Sequence, residues 1–348
     1  MKNFKFVVFV FLLSVSLFGQ VHPDYEWYVS NFNGSDENTG AVDSPLASIQ
    51  RAVDLIREYY NDRQNWYPFG TFYNGFQHSA TIIIKGEIKL DHNVSDVRGM
   101  IEIDGERLPP IIIKGVEGYD NIINANGIHR VFYIYNGANV TIANNITITG
   151  GGRVNSGGGV YIIDSTLILD GGNIIENAAY GAGRGDGAGV LVGSNAKFFM
   201  KSGNISYNEA YNGNSVCWGG GVHVDSGGLF VMIGGEISFN SIRFDYGGGV
   251  GVFRGGTFMM IGGIIRENVA DMGANNVFTD SNSTFIMTGG IIAENVENTI
   301  INGYRIIPET NVLINGIYIN QSGIIEGIIA KGYENILNLN FHIENLAE

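Results

Sequence analysis

Between residues 157 and 295 apolar and polar positions alternate in short runs, and the runs recur. In GGGVHVDSGGLFVMIGGEISFN they cover residues 222–225, 229–233 and 236–239, with glycine pairs between them. Each run is too short for a helix and carries apolar residues at every second position, the period of a strand. The glycine pairs mark corners that require positive φ. The pattern occurs five times. Its opening valines, Val160, Val190, Val222, Val250 and Val277, are spaced 30, 32, 28 and 27 residues apart. Its closing asparagines, Asn177, Asn208, Asn240, Asn268 and Asn295, are spaced 31, 32, 28 and 27 apart. Two markers that drift together define a true repeat. Three short strands per repeat, with repeats stacked on one another, predict an all-β fold: a single-stranded parallel β-helix whose coils lie ~4.8 Å apart.

Stacking places equivalent residues in columns. Leu167, Phe198, Phe230, Phe258 and Phe285 share one, Leu169, Met200, Met232, Met260 and Met287 a second, and Ile174, Ile205, Ile237, Ile265 and Ile292 a third. These columns are expected to fill the interior, each large side chain contributing roughly 1.5–3 kcal/mol by burial. The five asparagines are expected to form a ladder of amides bonded from coil to coil. An outward column, Ile168, Phe199, Val231, Met259 and Ile286, is also apolar. Loops after each asparagine, carrying Tyr180, Tyr211, Phe244 and Met272, are expected to cover Ile168 and Phe199. Val231, Met259 and Ile286 are expected to face a partner, either a second copy or a surface ligand.

The flanks are less regular. Residues 1–20 have the form of a secretory signal peptide, with Lys2 and Lys5 before an apolar run at 6–18, and cleavage is expected near residues 19–20. The protein is then exported, to the cell surface, the periplasm or the medium. No other run is long enough for a transmembrane helix. Residues 21–79 are expected to form a strand, a helix and an aromatic-rich loop over 59–78. Ser48 is placed to cap the helix, whose Ile49, Ala52, Val53 and Ile56 share one face. Such a helix closes the open end of the first coil. Residues 80–348 are the β-helix, with closing coils over 301–348.

With the repeats laid out, the chain resembles the right-handed parallel β-helix (pectate-lyase-like) superfamily. The GG-V/I runs that end in Asn are similar to those of polymorphic outer-membrane and other bacterial surface proteins. The resemblance covers nearly all of the chain after its leader and implies a right-handed coil. It leaves function open, because that superfamily includes lyases, hydrolases, adhesins and structural proteins.

Charge and chemistry narrow the picture. The formal net charge is −14, and without Lys2 and Lys5 there are 18 basic residues against 34 acidic. Such a surface repels nucleic acid and anionic lipid. It also disfavours a polyanionic substrate unless calcium bridges the two. A single cysteine, Cys217, excludes a disulfide framework and a thiolate zinc site. For catalysis, the best constellation is Asp225 and Asp280, two coils apart at roughly 9–10 Å with Phe253 between them, together with Arg254 and His223. That spacing is poor for a paired-carboxylate hydrolase and for acidic residues gathered round calcium. Arg184-Gly185-Asp186 matches the integrin-binding tripeptide. The expectation is an exported, non-catalytic β-helix of a bacterial surface or extracellular matrix, without a cofactor, that binds a surface glycan or protein or associates with itself. The alternative is a carbohydrate-active enzyme of the polysaccharide lyase type, with calcium.

Overall fold

A computed structural model describes residues 25–64, 79–90, 101–152, 154–180, 185–211 and 217–293, and the strand residues 300–301, 304–305, 312–314, 317–320 and 324–325. Residues 1–24, Arg184, Asn295 and residues 65–78 lie outside the described residues.

The fold is a parallel β-helix with one N-terminal helix. Eight strands form a front sheet that runs from Ile101–Asp104 to Val312–Ile314, each parallel to the next. The second and third runs of each repeat lie in one long sheet. They are bent apart at the glycine pair, where Gly235 takes a φ of 86°. A Cβ there would meet the Gly203 carbonyl oxygen and Met200 Cε, each at 2.6 Å, so only glycine fits this corner. A third, four-stranded sheet follows the asparagines: Ala178–Tyr180, Glu209–Tyr211, Ser241–Ile242 and Val269–Ala270. Sequence alternation over two or three residues is too little to reveal these strands, which read as loops in the sequence.

The inward columns form as expected. Phe198, Phe230, Phe258 and Phe285 are in register and fully buried, their rings parallel within 10° and 4.8–5.0 Å apart. Such a stack adds aromatic contact energy to the burial of each ring.

The asparagine ladder also forms. Asn208 Nδ2 donates to Asn240 Oδ1 at 2.8 Å and to the Ile174 carbonyl of the preceding coil at 3.0 Å. The Asn208 backbone N–H donates to the same Asn240 oxygen. One amide thus ties three coils together and satisfies backbone groups that the corner would otherwise leave buried. The residue before each rung is left-handed: Glu176, Tyr207, Phe239 and Glu267 have φ of 53–56°. That torsion turns the chain and directs the amide inward.

At the N-terminus, Ser48 Oγ accepts from the Arg51 N–H, and Ile49, Ala52, Val53 and Ile56 are fully buried. Asp36, eleven residues upstream of Ala47, accepts the N–H groups of Ala47 and Ser48 and the Ser48 hydroxyl. Its carboxylate therefore serves the helix N-terminus, which favours negative charge. The helix spans Ile49–Gln64, longer than expected, and takes in Tyr59 and Tyr60. Both pack beside Tyr25, and Tyr59 meets Trp27 edge-on. The Gln50 side chain exchanges two hydrogen bonds with the backbone of Glu102, on the first strand of the front sheet. It acts as a surrogate peptide group on that edge strand, where Arg57 Nη2 also donates to the Asp104 carbonyl at 3.2 Å.

Candidate functional site

The front sheet presents two outward columns. One reads Glu102, Tyr133, Tyr161, Leu191, His223, Gly251 and Phe278. The other begins with Asp104 and Tyr135 and continues, just beyond the strand ends, through Ile163, Gly193, Asp225, Phe253 and Asp280.

Asp225, Phe253 and Asp280 follow one another on successive coils as the spacing predicted, and the structure shows what each group does. Asp225 accepts the Ser226 N–H at 2.8 Å and meets Arg254 Nη1 at 3.4 Å. Asp280 accepts the Arg254 backbone N–H at 2.7 Å, the Ser283 hydroxyl at 2.6 Å and the Asn282 N–H at 3.0 Å. Both carboxylates secure turns. His223 is fully buried, its ring against Trp218 and Phe253 at 5.7 and 5.3 Å. Arg254 lies over the Trp218 ring at 4.4 Å. The four residues are neighbours, but the histidine is packed beneath aromatic rings, and no pair of free carboxylates faces a common point. Among the described residues no three His, Cys, Asp or Glu side chains converge as metal ligands would.

Trp218 was missed by sequence reading. It stacks on Phe253 at 4.7 Å, and two buried aspartates hold it. Asp186 accepts its backbone N–H at 3.1 Å, and Asp245 accepts a hydrogen bond from its side chain. Burial pushes the Asp245 carboxyl up to about 6, opposed by the hydrogen bonds from Tyr246 and Trp218. Burial likewise pushes the Cys217 thiol up to about 12, so it is neutral and unreactive. Asp186 is the acid of the Arg-Gly-Asp triplet. It is 4% exposed and bonded to the protein's own backbone, so the acid of this triplet does not face solvent.

An open groove of about 550 Å³ lies nearer the N-terminus, lined by Tyr133, Tyr135, Asn136, Gly137, Ile163 and Asp164. Tyr133 and Tyr135 are two residues apart on one strand, so both face outward, with ring centroids 4.7 Å apart. Tyr161 stands opposite Tyr133 on the next strand, ring to ring at 5.4 Å. Arg130 lies behind them, 7% exposed, its guanidinium 5.1 Å from the Tyr161 ring. It donates to the carbonyls of Ser156 and Gly157. Burial lowers its pKa to about 10, which leaves it charged at neutral pH. Burial also raises that of Tyr161, which stays a neutral phenol. At the rim, Asn136 and Asp164 are left-handed turn residues. Asn136 donates to Asp104 at 2.8 Å, and Asp164 accepts from Asn195 at 2.9 Å. Aromatic walls beside a few fixed polar groups suit a small neutral ligand that has both C–H faces and hydroxyls. The alternation of FYIY shows in the sequence; the meeting of Tyr135 with Ile163 and Asp164 from the following coil does not.

The apolar stripe is more covered than expected. Val231 is 1% exposed and Ile286 7%, while Met259 between them is half-buried. The proposed cover is corrected: Tyr180 and Tyr211 lie on the third sheet, and Tyr180, Phe244 and Met272 are exposed.

Comparison of the chain with protein-family models, with curated proteins and with solved structures gives no match.

Proposed function

We propose that the chain is an exported, non-catalytic β-helix of a bacterial surface or extracellular matrix, and that it binds an uncharged glycan. The observation that carries this reading is the Tyr133–Tyr135 groove, where stacked rings adjoin the polar rim of Asn136 and Asp164. Two features support binding without turnover. Asp225 and Asp280 are engaged in their own turns, and His223 is sealed from the surface. The charge of −14 favours a neutral ligand over a polyanion. Export rests on the form of residues 1–20.

The test is a screen of neutral and acidic polysaccharides for binding and for cleavage, with and without calcium. The expected result is binding of a neutral glycan that Tyr133→Ala abolishes, with no new chain ends. Release of unsaturated or reducing ends, lost in Asp225→Asn or Arg254→Ala, overturns the non-catalytic reading in favour of a lyase.

A further inference from the structure

The third sheet carries a feature that the groove does not explain. Alternation along its strands points Ala179, Ala210, Ile242 and Ala270 inward, where they form a small core with Ala188 and Cys217. The intervening residues face out, flanked by two aromatic ridges that run along the solenoid axis. One ridge is Tyr180, Tyr211 and Phe244, with successive ring centroids 6.1 and 6.3 Å apart. The other is Tyr207 and Phe239, parallel within 6° at 5.0 Å. Tyr180, Tyr207 and Phe244 are each at least 40% exposed, an unusual concentration of open aromatic surface.

Ala178 and Glu209, paired in register and half-buried, form the floor between the ridges. The floor is buried at Ser241, where the trough ends. Glu209 is held from two sides: its Oε1 meets Arg243 Nη2 at 2.7 Å and its Oε2 accepts the Tyr180 hydroxyl at 2.9 Å. Arg243 also lies over the Tyr211 ring at 4.8 Å. The trough therefore combines exposed rings with a carboxylate fixed in place and neutralised by its own arginine.

We propose that this trough is a second site for an uncharged oligosaccharide, lying along the axis from Tyr180 to Phe244. Three observations select that occupant. The local charges cancel, so no ionic ligand is called for. A net charge of −14 repels both anions and a second copy of the chain. A carboxylate with lone pairs to spare, set among aromatic rings, accepts hydroxyl hydrogens while the rings take C–H faces. The proposal extends the glycan-binding reading above to a different face, and two faces allow one molecule to join two chains.

The experiment is calorimetric titration of the whole protein with cellohexaose, xylohexaose, mannohexaose and chitohexaose. The best-bound hexasaccharide is expected to fill two sites. Tyr211→Ala, checked for an unchanged melting temperature, should remove one site or weaken it about tenfold or more, and Tyr211→Phe should keep it. Tyr180→Ala, at an exposed end of the ridge and subject to the same melting check, is a second variant. Tyr133→Ala should remove only the other site. A single site lost in Tyr133→Ala and untouched by both ridge variants overturns the trough and leaves the groove standing. A single site lost only in the ridge variants overturns the groove instead. No binding of any of the four hexasaccharides, or ridge-dependent binding of a proline-rich peptide alone, overturns the proposal.

Discussion

Asn268 donates its side-chain amide to Oδ1 of Asn276 at 2.8 Å, only eight residues along the chain. Each described rung before it donates to its counterpart a full coil away: Asn177 to Asn208, Asn208 to Asn240 and Asn240 to Asn268. Asn276 stands where earlier repeats have Gly221 and Gly249, directly before the opening valine. Its own Nδ2 donates to the Ala293 carbonyl at 2.8 Å. The ladder is thus continued by a residue from outside the repeating asparagine series.

Asn240→Ala should cost on the order of 1–3 kcal/mol, because it strands the Asn208 amide and backbone groups on both sides. Asn276→Ala, which strands the Asn268 amide and backbone N–H and the Ala293 carbonyl, should cost a similar amount. Denaturant unfolding of the two variants checks this. An unchanged midpoint for Asn240→Ala would show that the buried amides are dispensable.

Phe230 lies between Phe198 and Phe258 in the core stack, fully buried. Phe230→Ala should destabilise by about 3–5 kcal/mol, and Phe230→Leu by less, because leucine fills more of the space. The same denaturation experiment reports both, and equal midpoints for the two variants would count against space-filling as the cause of the loss.

Asp245 gives a pH dependence with a definite sign. Its carboxyl rises from 3.8 to about 6 on folding, so the folded protein holds that proton more tightly than the unfolded chain. The resulting stabilisation is complete below about pH 4 and is lost as pH rises through about 6. Asp245→Asn removes the charge. Its melting temperature relative to the parent should therefore be higher at pH 8 than at pH 4. A difference that does not change with pH would mean the carboxyl titrates normally.

Arg254 joins three coils, through its guanidinium on Asp225, its N–H on Asp280 and its carbonyl, which accepts from Ser226. Two of those bonds use backbone, and the ion pair is exposed. Arg254→Ala should therefore cost no more than about 1 kcal/mol. Retained folding with unaltered glycan binding is the expected result, measured by melting and by titration. A loss of glycan binding would place Arg254 in the binding surface.

Sequence alone determined the solenoid, its interior and its register, except for the shift that pairs Asp170 with Ser202. Period-two alternation decides which side chains of a strand face inward, and a repeat drifting in step at two markers decides what stacks on what. Hence the Phe, Met and Ile columns and the first four asparagines were legible before any coordinates. Tertiary structure decided the rest, because it depends on where chain segments return after a turn. Two left-handed residues, Asn136 and Asp164, bring the rims of separate coils together around Tyr135. Asp186 and Asp245, 59 residues apart in sequence, close on Trp218. Neither meeting has a local signal, since a two-residue turn looks alike whether it opens to solvent or folds against its neighbour. Burial of Val231 and Ile286 on an outward face has the same character: alternation gives the direction of a side chain, and only the packing above it determines whether water reaches it.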